Sequence, residues 1–263
     1  METWQTIRLS IDDLGIAELT FHRPEVRNAL NRQMVEEARA AVRVLAERDD
    51  LRAVVLTGAG DRAFLGGADI AELRDRTKLD ALRRINTGLF REVEQLPVPT
   101  IAAIRGFALG GGCELALACD LRVAGRSARL GQPEVGLGIV PGAGAMYRLP
   151  RLIGPGRAKE LIFTGRIIGA DEALSMGLVN RVVDDEVVLD VAHEIAREIG
   201  RNSAMAVRFA KLVMNVTPEV GSDAGMALEV ASQAVLFEDD DKQRRMTAFL
   251  ERRARKAGPE TSE

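Results

Sequence analysis

Two glutamates are the residues of this chain whose types and surroundings could do chemistry. Glu114 falls in the first turn of an apolar helical segment, where burying a carboxylate is costly unless it has a partner or a function. Glu134 follows Pro133 in a loop, 20 residues farther along. Two carboxyls acting on one water molecule suit paired proton transfer. Taken singly, Glu114 could equally be a helix N-terminal carboxylate and Glu134 a surface one, and sequence alone does not bring them together.

Two glycine segments could supply hydrogen-bond donors to such a site. Residues 64–70 (Phe-Leu-Gly-Gly-Ala-Asp-Ile) and the glycines at 110–112 each follow a predicted strand and precede a helix. Glycine permits positive φ and close backbone approach, and helix N-termini present free N–H groups. Two such groups on one oxygen would form an oxyanion hole, although tight turns are the simpler explanation for one glycine cluster. The chain contains no Walker A loop and no GxGxxG fingerprint.

Alternating strands and helices must position these residues, which predicts the α/β class. Strands are expected over 4–11 and 15–21, and Asn31 would cap a helix from about 32 to 48. Another helix is expected over roughly 78–95, and the chain is mainly helical after about residue 143. Short apolar runs predict further strands at 53–57, 100–104, 121–124, 128–130 and 179–183.

The composition is that of a globular protein and excludes several classes. The chain has 263 residues, 46% of them hydrophobic, and a net charge of −3, which supports neither disorder nor electrostatic nucleic-acid binding. No run approaches the about 18 apolar residues of a membrane span, and no signal peptide is recognisable. Cys113 and Cys119 are expected to be buried free thiols in a reducing compartment, so a cytoplasmic location is predicted.

Four ordered blocks resemble the crotonase (enoyl-CoA hydratase/isomerase) family. They are HRPEVRNALN at 22–31, AFLGGADI at 63–70, LPVPTIAAIRGFALGGGCELALACDLRVAG at 96–125 and GQPEVGLGIVPGAGAMYRLPRLIG at 131–154. MTAFLERR at 246–253 resembles the family's terminal helix. The resemblance implies a crotonase (ClpP-like) spiral of repeated β-β-α units over residues 1–195, and a helical trimerisation region over 196–263. It also implies a homotrimer, or a homohexamer made of two trimers.

The resemblance assigns roles to individual positions. Glu114 would orient and activate water, Glu134 would handle the proton at the α-carbon, and the N–H groups of Ala68 and Gly111 would form the oxyanion hole. Phe249 would reach the coenzyme A of a neighbouring subunit, as would Arg252. Substrate or coenzyme A contacts are implied for Arg27, Ala29, Gly67, Asp69, Ile70, Gly110, Pro133, Gly142, Phe249 and Arg252. No metal or redox cofactor is implied, because coenzyme A is part of the substrate.

The implied reaction is addition of water to a trans-2-enoyl-CoA, giving a 3-hydroxyacyl-CoA, in fatty-acid or related acyl-CoA degradation. Presence of both acids favours a hydratase over a Δ3,Δ2-isomerase, which generally lacks the earlier acid. Branched or methylglutaconyl-type hydration and a coenzyme A- or RNA-binding member with weak activity are the alternatives. The arginine-rich tail is more typical of a solvated helix face than of a nucleic-acid site. Gly136 and residues 145–147 depart from the family pattern, so acyl-chain length stays open, as does whether Tyr147 lines the site.

Overall fold

The structure, a computed structural model, describes residues 4–256, in which ten strands form two sheets. The strands are β1 (Ile7–Ile11), β2 (Ile16–Phe21), β3 (Ala53–Gly58), β4 (Ala63–Leu65), β5 (Thr100–Ile104), β6 (Phe107–Leu109), β7 (Leu121–Gly125), β8 (Arg129–Gly131), β9 (Ile167–Gly169) and β10 (Arg181–Val183). The larger sheet has the order β1-β2-β3-β5-β7-β10 and the smaller has the order β4-β6-β8-β9.

Twelve α-helices accompany these strands within residues 4–256. They are α1 (Arg32–Ala46), α2 (Ile70–Asp75), α3 (Lys78–Leu82), α4 (Ile85–Glu94), α5 (Gly111–Ala118), α6 (Ala145–Ile153), α7 (Pro155–Thr164), α8 (Ala170–Ser175), α9 (Val188–Gly200), α10 (Ala204–Val216), α11 (Ser222–Phe237) and α12 (Asp240–Lys256). No helix in this part of the chain has the length and apolar character needed to cross a membrane.

Successive strand pairs give one strand to each sheet, which produces the repeated β-β-α unit. The pairs β3–β4, β5–β6 and β7–β8 each place their first strand in the larger sheet and their second in the smaller. Strands β4, β6 and β8 are mutually parallel. Their carboxyl ends therefore lie at one edge, and the loops that follow Leu65, Leu109 and Gly131 come together there.

Local sequence explains most of these elements. Strands β3 and β5 are buried at every position, as expected for apolar strands covered on both faces. Asn31 begins α1, and its side chain accepts a hydrogen bond from the Met34 N–H at 2.9 Å. The larger core cluster includes buried residues of α1, α4 and α5, and a second cluster joins α9 to β3, β5 and β7.

Three local predictions differ from the structure. The helix predicted over 78–95 is two helices, α3 and α4, because Arg84 adopts a left-handed conformation (φ 53°) between them. Strand β9 was not predicted, since three residues are too short to give an alternating pattern. The loop around Glu134 contains a 3-10 turn, Pro133–Leu137.

The chain divides into two compact units after Gly200. All ten strands of the described residues belong to the first unit, together with α1 to α9. The second unit contains α10, α11 and α12. The division predicted after residue 195 falls inside α9, which packs on the larger sheet.

Candidate active site

A cavity of about 310 Å³ in the first unit opens beside the loops that leave the smaller sheet. The loop after β4 contributes Ala68, the helix after β6 contributes Gly111 and Glu114, and the turn after β8 contributes Glu134. Both predicted acids and both predicted donor residues therefore border one cavity. The remaining lining residues are Leu73, Arg76, Thr77, Asp80, Ala81, Arg84, Ile85, Asn86, Thr87, Ile139, Val140, Gly142 and Ala143.

Glu114 lies in the first turn of α5 and is only 3% exposed. Its Oε1 accepts hydrogen bonds from the N–H groups of Ala143 at 2.7 Å and Ala145 at 3.1 Å. Burial raises the pKa of this carboxyl, and the two N–H groups together with the Arg148 charge oppose that rise. Burial is the larger effect, so the pKa stays above its ordinary value although both donors bind one carboxylate oxygen.

Glu134 is the second residue of the 3-10 turn Pro133–Leu137 and is 9% exposed. Burial raises its pKa to about 7, a rise opposed by its own backbone N–H and increased by the negative charge of Glu114. With its nitrogen toward this carboxylate, the Gln132 amide lies 3.2 Å from both oxygens. The two acids therefore occupy different environments, since backbone donors hold Glu114 while a side-chain amide faces Glu134.

Ala68 and Gly111 both line the cavity, and their backbone N–H groups lie near each other. Leu30 forms a parallel bridge with Ala68, donating to Gly67 O and accepting from the Asp69 N–H, both at 2.8 Å. In a parallel bridge, this pattern turns the N–H of Ala68 away from Leu30. Gly111 is the first residue of α5, where backbone N–H groups lack a helical acceptor. A Cβ at Gly111 would lie 3.9 Å from the Ala68 nitrogen, so the two donors are neighbours.

Asn28 stabilises the segment of residues 27–30, which is hydrogen-bonded to the loop that contains Ala68. Arg27 and Asn28 both have a left-handed φ of 55°. The buried Asn28 side chain accepts from the Arg23 N–H at 2.9 Å and donates to Ala59 O at 2.9 Å and Ala63 O at 2.8 Å. Arg27 O then accepts the Gly66 N–H at 2.9 Å. These bonds set the course of the chain from Gly66 to Asp69.

The structure brings together several positions predicted to contact coenzyme A. Arg27, Ala29, Gly67, Asp69 and Ile70 all lie around the Leu30–Ala68 bridge. The Asp69 side chain caps α2 by accepting the Ala71 N–H at 3.2 Å, and it pairs with Arg23 at 3.4 Å. The Arg27 guanidinium lies 5.3 Å from the ring centroid of Phe107.

The other predicted contact positions are distributed over three places. Gly110 precedes α5, and its N–H donates to Gly131 O at 2.9 Å. Pro133 opens the Glu134 turn, and Gly142 lines the cavity while its carbonyl accepts from the Thr87 hydroxyl at 2.9 Å. Phe249 and Arg252 are exposed residues of α12 in the second unit.

Sequence reasoning missed Gln132, the donors at Ala143 and Ala145, and the buried Arg148. Gln132 stands two residues before Glu134 and could have been found from that position; the donors could not, because backbone N–H groups leave no mark on side-chain type. Tyr147 does not line the cavity, and its ring lies 4.8 Å from the Arg148 guanidinium. Within residues 4–256, no group of three or more His, Cys, Asp or Glu side chains is arranged to hold a metal ion.

Comparison with known proteins places the chain among acyl-CoA enzymes. Residues 12–257 match the enoyl-CoA hydratase/isomerase family. The chain is 43% identical over 240 residues to the short-chain-enoyl-CoA hydratase of Clostridium acetobutylicum, covering 90% of this chain and 92% of that one. It is 42% identical over 240 residues to the crotonyl-CoA hydratase of Syntrophomonas wolfei, with the same coverage of 90% and 92%.

A solved structure agrees with these relatives. The crystal structure of enoyl-CoA hydratase from Bacillus anthracis superposes with a TM-score of 0.91 at 40% identity, covering 94% of this chain and 97% of that one. The similarity confirms the predicted crotonase fold with a helical C-terminal region. The chain therefore belongs to the enoyl-CoA hydratase/isomerase family.

Proposed function

We propose that this protein is an enoyl-CoA hydratase that adds water to a trans-2-enoyl-CoA and gives a 3-hydroxyacyl-CoA. The observation that carries the proposal is that Glu114, Glu134, Ala68 and Gly111 all line one cavity. The relatives from Clostridium acetobutylicum and Syntrophomonas wolfei, named as short-chain-enoyl-CoA and crotonyl-CoA hydratases, support the same reaction. Fatty-acid or related acyl-CoA degradation is the expected setting.

The two N–H groups would hold the thioester oxygen. When water attacks C3 of a conjugated thioester, negative charge develops on that oxygen as an enolate forms. Donors from Ala68 and Gly111 stabilise this charge more strongly in the transition state than the neutral carbonyl before it. Their positions follow from the Leu30 bridge and from the start of α5, so little reorganisation is needed during the reaction.

The two carboxyls would divide the proton transfers. Glu114, held by two N–H donors, is the carboxylate that accepts a proton from water as its oxygen bonds to C3. Glu134, whose pKa of about 7 keeps much of it protonated near neutrality, gives a proton to C2. One water is consumed and one C=C bond is lost, and proton exchange returns both acids to their starting forms. Adding water transfers no electrons to or from a cofactor, so the proposed reaction requires no redox cofactor, and the proposal includes no metal.

Coenzyme A would run away from the cavity along the Leu30–Ala68 bridge. Arg27, Ala29, Gly67, Asp69 and Ile70 surround this bridge, and only Ala68 of the region also lines the cavity. Arg27 carries a charge suited to a phosphate group. Phe249 and Arg252 would complete the site from a neighbouring subunit, which makes assembly part of the proposal.

A homotrimer, or a hexamer of two trimers, is the proposed assembly. The second unit has a cavity of about 670 Å³ between α10 and α11, lined largely by apolar residues such as Phe209 and Val213. Clusters of exposed apolar side chains are typical of interfaces between protein chains. The exposed apolar side chains of this unit include Met205, Leu212, Met214, Met226, Val230, Val235, Phe237, Met246, Phe249 and Leu250.

Light scattering coupled to size exclusion tests the assembly. We expect the mass of three or six chains for the parent and a smaller species for Val230→Asp, because an exposed interface valine would become charged. A parent that elutes as a monomer contradicts the proposal.

The buried free thiols Cys113 and Cys119 support a reducing, cytoplasmic location.

Loss of the conjugated-thioester absorbance of crotonyl-CoA tests the reaction. We expect turnover by the parent and a fall of about 100-fold to 10,000-fold in kcat for Glu114→Gln and for Glu134→Gln. Glu36→Gln is the matched control, because Glu36 is an exposed helix residue paired with Arg32. Undiminished turnover in either site variant removes that acid from the mechanism. A parent that converts only 3-enoyl-CoA is an isomerase.

A further inference from the structure

Arg148 is a buried arginine that reaches across from α6 to the end of α4. It is 5% exposed, and its guanidinium grips the Glu94 carboxylate with two bonds, from Nε to Oε1 and from Nη2 to Oε2, each 2.9 Å. Its remaining nitrogen, Nη1, donates to Ala143 O at 3.0 Å. Two-pronged pairing of this kind sets both the position and the orientation of a guanidinium.

Arg148 donates a hydrogen bond to the turn at residues 143–145, and the same turn donates hydrogen bonds to Glu114. Ala143 gives its carbonyl to Arg148 and its N–H to Glu114, and Ala145 gives a second N–H to the same carboxylate oxygen. Gly144 between them has a φ of 123°, and a Cβ there would lie 1.9 Å from Arg148 Nη1. The guanidinium therefore lies close against the glycine of the turn, in space that a side chain at residue 144 would need.

We infer that Arg148 and Glu94 are positioning residues, which hold the 143–145 turn so that its two N–H groups aim Glu114 at the cavity. Neither residue lines that cavity, so neither touches the reacting atoms. A buried ion pair adds little stability compared with apolar side chains of similar volume. Its specific contribution here is the geometry of the turn. The inference deepens the proposed function, because it assumes that Glu114 serves as the base.

The Arg148–Glu94 pair also affects the electrostatic environment of Glu114. The Arg148 guanidinium favours the carboxylate form of Glu114, against the effect of burial. Glu94 partly neutralises that guanidinium, and Arg91 also donates to Glu94, at 2.6 Å. The other charged or titratable groups around Glu114 or on the cavity wall are Cys113, Glu134, Arg76, Asp80 and Arg84.

The experiment compares Arg148→Met, Arg148→Lys and Glu94→Gln in steady-state hydration of crotonyl-CoA across a range of pH. Arg148→Met should lower kcat by about 10-fold to 100-fold with little change in KM, because a small displacement of a catalytic group is enough for such a loss. Arg148→Lys, which keeps the charge, should recover part of kcat. The acid limb of kcat/KM should move to higher pH in Arg148→Met and to lower pH in Glu94→Gln.

A purely structural role for the pair would leave the acid limb unmoved in both variants. Opposite movements in Arg148→Met and Glu94→Gln therefore indicate that the pair acts on Glu114. The matched control is Arg39→Met, which breaks the partly buried Arg39–Glu92 pair between α1 and α4, and neither residue of that pair lines the cavity. It should lower thermal stability without changing the pH profile. An Arg148→Met enzyme with the parent's kcat and profile, or one indistinguishable from Arg39→Met, overturns the inference.

A second readout needs no turnover. A carbon-13 NMR titration of glutamate-labelled protein, with Glu114 assigned through Glu114→Gln, follows that carboxyl directly. Its midpoint should rise in Arg148→Met, fall in Glu94→Gln and stay in place in Arg39→Met. A parent that hydrates no enoyl-CoA contradicts the proposed function, whereas unmoved Glu114 midpoints contradict the positioning network. If Arg148→Met fails to fold, Glu94→Gln and Arg148→Lys still decide the matter.

Discussion

The Glu134 carboxylate occupies the space that a side chain on Gly110 would need. A Cβ on Gly110 would lie 2.7 Å from Glu134 Oε1, closer than unbonded atoms of these types approach. Gly110 also has a φ of 50° with a ψ of −121°, a conformation that side chains disfavour. The acid therefore has its place because residue 110 carries no side chain.

Gly110→Ala should abolish most activity while the protein still folds. The added methyl group would push the Glu134 carboxylate away from C2 of the substrate, and the strained backbone should cost about 1–3 kcal/mol of stability. We expect kcat for crotonyl-CoA to fall by about 100-fold or more. Gly136→Ala is the control, because a Cβ there meets no atom within 4 Å. Equal activity of the two variants would show that the Gly110 contact is unimportant.

Glu134→Gln should increase stability at alkaline pH. The folded pKa of about 7 lies above the ordinary value of 4.5, so the folded state binds the proton more tightly. The resulting stability is fully present below pH 4.5 and is lost as pH rises through about 7, by at most about 3 kcal/mol. Glutamine does not titrate and loses nothing over this window.

Thermal melts at pH 5 and pH 9 measure this effect. The variant and the parent should melt together at pH 5, and the variant should melt at the higher temperature at pH 9. Exposed Glu36→Gln should follow the parent at both values. If the parent and Glu134→Gln melt at the same temperature at pH 9, the pKa of Glu134 is not raised in the folded protein.

Asn28→Ala should loosen the loop that contains Ala68. It removes the partners of the Arg23 N–H and of the Ala59 and Ala63 carbonyls, and it places alanine at a φ of 55°. Each unpaired buried group costs about 1–3 kcal/mol, so we expect a large loss in the free energy of unfolding. Asn28→Gly should be less damaged by about 1 kcal/mol, because glycine tolerates this φ. If Asn28→Gly melts no higher than Asn28→Ala, backbone strain is not part of the cost.

Arg122→Met should destabilise the fold without altering the chemistry. The buried guanidinium donates to Leu178 O and Cys119 O, both at 2.7 Å, and to Ala116 O at 3.2 Å, so it satisfies the end of α5. We expect a loss of about 3 kcal/mol in unfolding experiments, with kcat preserved in the folded protein. Arg126→Met, which removes an exposed pair with Asp184, should cost under about 1 kcal/mol. If the two variants lose similar amounts of unfolding free energy, burial does not make the contacts of Arg122 more important than those of the exposed Arg126.

Elements with strong local signals were predicted well. The Asn31 cap, the buried strands β3 and β5, and the glycine loop before α5 all follow from neighbouring residues. The break at Arg84 was not predictable, because a left-handed arginine leaves no mark in the apolar pattern. Strand β9 likewise exists only through its pairing with β8.

By itself the sequence determined the class of fold and the strand–glycine–helix units, and it predicted Glu114 and Glu134 as the two candidate acids. Only the tertiary structure decided that Glu114 and Glu134 share a cavity, because parallel pairing of β4, β6 and β8 brings three distant loops to one edge. It also decided which backbone N–H groups hold Glu114, and that Arg148 meets Glu94. Residue types carry the chemistry, whereas long-range strand pairing and packing set the distances on which that chemistry depends.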